Sequence, residues 1–103
     1  MKKAIQIDSR DNVATVTSNV SAGEDVDVLS SEGNVIAKLK ALEAIPFGHK
    51  IALTDIKIRE RVIKYGETIG LASRPIKASD WVHVYNVESA AVPTSALRRE
   101  NRD

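Results

Sequence analysis

A mainly β fold, compact, with short strands, tight turns and little helix, is what this chain predicts. Three observations carry the prediction. Val and Ile are abundant while aromatic residues are only 4% of the chain, and branched aliphatics suit a pleated surface better than a helix. Val35, Ala37 and Leu39 alternate with Ile36, Lys38 and Lys40, the period of a strand with one buried and one wet face. Clusters of Asp, Ser, Asn and Gly separate the apolar runs, as turns between strands require.

The elements follow in order. Ala4 to Ile7 and Val13 to Thr17 read as strands joined by the turn-rich Asp8-Ser9-Arg10-Asp11-Asn12. Val26 to Leu29 and Asn34 to Leu39 flank Ser30-Ser31-Glu32-Gly33 and read as a hairpin. His49 to Leu53, Val62 to Tyr65 and Trp81 to Val87 are further strands, with Pro46 and Gly48 punctuating the approach to the first. Gly66 is expected in a turn between strands, and Gly70 at a bulge or a close backbone approach. Val87 to Ser95 is small and apolar and Ala96 to Asp103 is highly charged. Residues 89–103 therefore read as a docking segment or linker that ends in a frayed tail.

A weak repeat organises the middle of the chain. Val20 to Val26, Ile56 to Val62 and Ile76 to Val82 each hold a branched aliphatic, an acid four positions on and Val six positions on. Each reads as a surface turn between two apolar anchors. Only the first has Gly before the acid, so a shared positive φ at that point would place Arg59 and Ser79 in it at a steric cost. Common composition is the alternative origin of the similarity. The spacings differ, which excludes a solenoid.

At 103 residues and near-neutral charge the chain is expected to be one ordinary domain. A domain of this size buries roughly 60 to 70% of its unfolded surface, which leaves room for a partner to add stability. The one basic cluster is Arg98, Arg99 and Arg102, too little for a nucleic-acid footprint. No segment is long and apolar enough for a membrane span, and the N-terminal apolar stretch is too short for a signal peptide. The absence of cysteine excludes disulfides and thiol chemistry and accords with a cytoplasmic protein.

The residues able to carry chemistry are concentrated between His49 and Asn86. His49 and His83 are the only imidazoles; they form no recognised metal motif, and a structural role competes with a functional one at each. No metal site is assigned, and His83 is the one candidate ligand. Period 2 places Trp81, His83 and Tyr85 on one face and Val82 and Val84 on the other, an amphipathic ring surface of the kind that meets partners or sugars. Covering the outside of a barrel edge is the competing reading. Lys64-Tyr65-Gly66-Glu67-Thr68-Ile69-Gly70 lacks the ending of a phosphate loop. No Gly-x-Ser-x-Gly is present for a serine nucleophile.

These residues carry a resemblance. Asn12-Val13-Ala14, Gly48-His49-Lys50-Ile51-Ala52-Leu53, Asp55-Ile56, Val62 to Ala72, Ile76-Lys77 and Trp81-Val82-His83-Val84-Tyr85-Asn86 resemble the SAF domain of the altronate/galactarate dehydratase family and its sulfolactate sulfo-lyase relatives. The resemblance covers about residues 4–88 and departs from the family pattern at Tyr85, where a second His is usual, and at Arg59 and Ser79, where Gly is favoured. It implies a β-clip-like SAF domain over residues 1–88 and a hydro-lyase that eliminates water from a sugar acid. It further implies a separate large catalytic subunit, with iron or manganese in the complete enzyme and no cofactor assigned to this chain. His49, His83, Tyr85 and Asn86 are the expected substrate-binding or subunit-interface residues; no catalytic residue is assigned. A free-standing carbohydrate-binding or assembly module and a homo-oligomeric building block are the competing readings.

Overall fold

The computed structural model describes residues 1–89, and no helix occurs among them. The fold is mainly β. Nine strands run in the order β1 (Lys2–Ile5), β2 (Val13–Val16), β3 (Asp25–Leu29), β4 (Val35–Lys40), β5 (Lys50–Ala52), β6 (Arg61–Lys64), β7 (Glu67–Ala72), β8 (Trp81–Val82) and β9 (Val87–Glu88). One sheet has the order β4-β3-β1-β2-β5-β8 and a second the order β6-β7-β9. Within them β1 and β3 pair in parallel and the other pairs are antiparallel.

Two differences from the sequence expectation bear on the site. The single strand expected over Trp81 to Val87 is two short strands separated by a turn at 83–86. Asn86 holds the turn: its Oδ1 accepts the His83 N–H at 2.8 Å and its Nδ2 donates to the Trp81 carbonyl at 2.8 Å. A side chain thus satisfies two backbone groups on the free edge of β8. The other is that the stretch after Gly66, given no strand bounds from the sequence, is strand β7, with Gly66 in the turn and Gly70 at the close approach as expected. Tyr65 and Gly66 link it to β6 with φ of 59° and 71°, the two positive angles that a tight type I′ hairpin needs. Ile69 is the extra residue where the register shifts, and Gly70 lets β9 approach closely. A Cβ on Gly70 would stand 2.6 Å from the Glu88 carbonyl oxygen.

Four turns, one more than the repeat suggested, share one conformation. They begin at Val20, Ile45, Ile56 and Ile76, all buried, and their fourth positions Gly23, Gly48, Arg59 and Ser79 have φ between 72° and 85°. The turns associate in two reciprocal pairs, with bridges Val20–Ile45 and Ile56–Ile76. Gly23 N–H donates to the Ala41 carbonyl and Gly48 N–H to that of Val16; Arg59 N–H donates to Ala72 and Ser79 N–H to Ala52. In three turns an acid closes the loop by accepting a backbone N–H: Glu24 from Ser21, Glu60 from Lys57 and Asp80 from Lys77, at 2.7 to 2.9 Å. In the fourth, Pro46 has no N–H to offer and His49 stands in the acid's place. That substitution hid the fourth turn from a search for acids.

Each pair of turns closes one apolar cluster. The first is built around Val16, Val20, Val26, Ala41, Ile45 and Ile51, and the second around Ala52, Ile56, Val62, Ala72, Ile76 and Val82. The Asp8 to Asn12 segment joins them. Asn12 donates to the Arg61 carbonyl and accepts the Ile63 N–H, while buried Asp11 accepts the N–H groups of Asp8 and Gly66. The expected docking segment and tail lie, beyond Ser89, outside the described residues.

Candidate functional site

His49 leaves its turn at the start of β5, and Trp81 opens the neighbouring strand β8, where Ile51 pairs with Trp81 and Lys50 with Val82. Pairing β5 with β8 brings two regions 32 residues apart into contact. The Trp81 indole Nε1–H donates to His49 Nδ1 at 3.2 Å, and the two rings meet edge to face with centroids 5.5 Å apart. His83 stacks on Trp81 at 4.1 Å, and Tyr85 meets His83 edge to face at 5.3 Å. The four rings form one continuous array. The sequence reading grouped Trp81, His83 and Tyr85 correctly, although a turn, not an extended strand, assembles the last two.

Each imidazole is oriented by a donor on its Nδ1. Trp81 supplies it for His49, and the Tyr85 backbone N–H supplies a long bond of 3.4 Å for His83. In the neutral ring the proton therefore sits on Nε2, which leaves both Nε2 edges as hydrogen-bond donors. A metal-bound imidazole has the opposite arrangement, with one nitrogen's lone pair on the ion and the other nitrogen donating its N–H. Nor do three His, Cys, Asp or Glu side chains converge anywhere among the described residues. The residues present do not fit a resident divalent ion, and His83 is arranged as a donor.

The other two expected site residues divide. Tyr85 is 72% exposed and stands at the tip of the 83–86 turn beside Val84. Asn86 is buried, with its carboxamide committed to His83 and Trp81. It shapes the turn that holds the imidazole and does not present its own polar atoms.

An open cleft of about 500 Å³ runs past these rings, lined by His49, His83 and Tyr85 and also by Lys50, Ile69 and Glu88. Lys50 escaped the sequence reading because a lysine in an alternating strand reads as a solvated position. Its neighbour in the Gly48-His49-Lys50 run was the available signal. Lys50 has no acidic partner among the described residues. Burial pushes its ammonium below the ordinary lysine pKa, and the charge of Lys64 adds to the effect. Strand parity puts Lys50 and Val82 on the face opposite Ile51 and Trp81. The cleft is therefore lined from both faces of the β5–β8 pair, with Trp81 on one and Lys50 on the other.

Residues 2–90 match the altronate/galactarate dehydratase SAF domain. The altronate dehydratase of Bacillus subtilis (strain 168) is 33% identical over 89 residues, which are 86% of this chain and 17% of that protein. The (2R)-sulfolactate sulfo-lyase subunit alpha of Chromohalobacter salexigens is 34% identical over 74 residues, 72% of this chain and 79% of that one. The altronate dehydratase of Escherichia coli (strain K12) is 38% identical over 85 residues, 82% of this chain and 16% of that protein. This chain thus spans about a sixth of the length of the altronate dehydratases it matches. With a family match over nearly all its described residues, the chain belongs to the altronate/galactarate dehydratase SAF domain family.

Proposed function

We propose that this protein is the small accessory subunit of a sugar-acid dehydratase, a hydro-lyase, and that it completes the active site of a separate large catalytic subunit in the cytoplasm. The observation that carries this reading is the content of the cleft. It offers two imidazole Nε2–H groups, the Tyr85 hydroxyl and the Lys50 ammonium, all suited to holding a polyhydroxy acid. Elimination of water needs a base for the proton beside the carboxylate, stabilisation of the enolate-like charge and an acid for the leaving hydroxyl. The cleft is rich in donors and poor in oriented bases, so the base is assigned to the large chain, as is any divalent ion.

The relatives support the division of labour. The match to a protein named as a lyase subunit covers most of that subunit, whereas the altronate dehydratases carry the matching segment within much longer chains. Two measurements test the proposal. Affinity purification from the native cell should recover a large dehydratase-like chain, and altronate or galactarate turnover should require both chains. Turnover by the isolated protein at the rate of the two-chain complex would overturn it.

A further inference from the structure

We infer that Lys50 is the carboxylate anchor of the cleft, holding the acid end of the ligand on its own face of the β5–β8 pair while His49 and His83 meet its hydroxyls. The inference rests on the reading of this cleft as a sugar-acid site and assigns the ligand's direction within it. Lys50 stands in strand β5 directly after His49, so backbone pairing with β8 fixes its position relative to both histidines. It lines the same cleft as the imidazoles, and strand parity sets it on the face opposite Ile51 and Trp81. A ligand spanning the two sides therefore meets an ammonium at one end and imidazole N–H donors at the other. An aldonic acid has that asymmetry: one carboxylate at the end of a chain of hydroxyls.

Charge and burial favour the same assignment. An ammonium that is half-buried, beside a second lysine and without a carboxylate partner among the described residues, gains most from an arriving anion. The anionic side chain lining the cleft is Glu88, which does not pair with Lys50. It disfavours a second carboxylate and makes an acid with a single carboxylate the better match.

The only tryptophan provides the readout. In the full-length 15N-labelled protein, the Trp81 indole N–H signal reports on the hydrogen bond to His49. Titration with altronate should move that signal, and the neutral polyol altritol should not move it at the same concentrations. Lys50→Met should weaken altronate binding about tenfold or more, while Lys64→Met, which removes the nearby charge outside the cleft, should leave it within about twofold. Equal responses to altronate and altritol, an unaltered affinity in Lys50→Met, an equal loss in Lys64→Met, or no altronate response in the wild-type protein would each overturn the inference. None of these results depends on recovery of a large subunit, so this inference and the accessory-subunit proposal fail separately.

Discussion

Arg59 and Ser79 adopt positive φ at positions where the two equivalent turns have Gly23 and Gly48. The left-handed region costs a residue with a Cβ about 1–2 kcal/mol, whereas glycine enters it freely but surrenders about 0.5–1 kcal/mol more chain entropy on folding. Among the described residues neither the Arg59 nor the Ser79 side chain makes a hydrogen bond or ion pair that glycine would forfeit. Arg59→Gly and Ser79→Gly should therefore each stabilise the protein, by up to about 1 kcal/mol, read as a higher urea midpoint. A lower midpoint in both would refute the strain argument. This strain was legible in the sequence because three turns could be aligned and only one had the glycine. Asn86 shows the opposite case. The resemblance suggested a substrate-binding or subunit-interface residue, but nothing in the spacing indicated that its carboxamide would bond two backbone groups five and three residues away.

Among the elements, the turns were more legible than the strands they join. Each recurs with a buried anchor and a fixed backbone bond, and the three with an acid were visible as a pattern. The Ile45 turn was not, because Pro46 removes the donor the acid serves and thereby frees position 49 for a different side chain. This exchange predicts a contrast. Glu24→Ala, Glu60→Ala and Asp80→Ala each delete a loop-closing bond to a backbone N–H, and each should lower stability by about 0.5–1.5 kcal/mol. His49→Ala deletes no such bond; its effect should appear in the Trp81 indole N–H signal, with a smaller change in urea midpoint. A midpoint loss for His49→Ala equal to that of the acid variants would show that His49 still serves its turn structurally. Strand β7 was obscured for a related reason. The roles of Gly66 in the turn and Gly70 at the close approach were legible, but two glycines in so short a stretch left the strand between them without readable bounds.

At the scale of the whole molecule, the parallel pairing of β1 with β3 and the joining of two apolar clusters through Asp11 and Asn12 lay beyond local periodicity. Both depend on contacts between residues far apart in the chain. The cleft is a product of that assembly, since β5, β7, β8, β9 and the 83–86 turn all contribute to its wall. Forming it leaves a half-buried ammonium at Lys50, and the pH dependence of global stability should record the consequence. In the folded state Lys50 titrates below 10.5, mainly through burial and then through Lys64. Between the folded value and 10.5 the unfolded chain holds more protons at this site, so its contribution to stability rises with pH across that window. Asp8 acts at the other end. Hydrogen bonds and charge from Arg10 lower its carboxyl to about 2 from 3.8, so its stabilising contribution is present above 3.8 and is lost as the pH falls through about 2. Urea midpoints of the wild type and Lys50→Met, compared across pH, isolate the lysine from other titrating groups. The variant should be the more stable at neutral pH, and the difference should shrink as the solution becomes alkaline. A constant difference would mean that packing by methionine, and not relief of the buried charge, accounts for the gain. A shrinking difference, together with weaker altronate binding by the same variant, would show that the cleft retains Lys50 for its ligand at the expense of the fold.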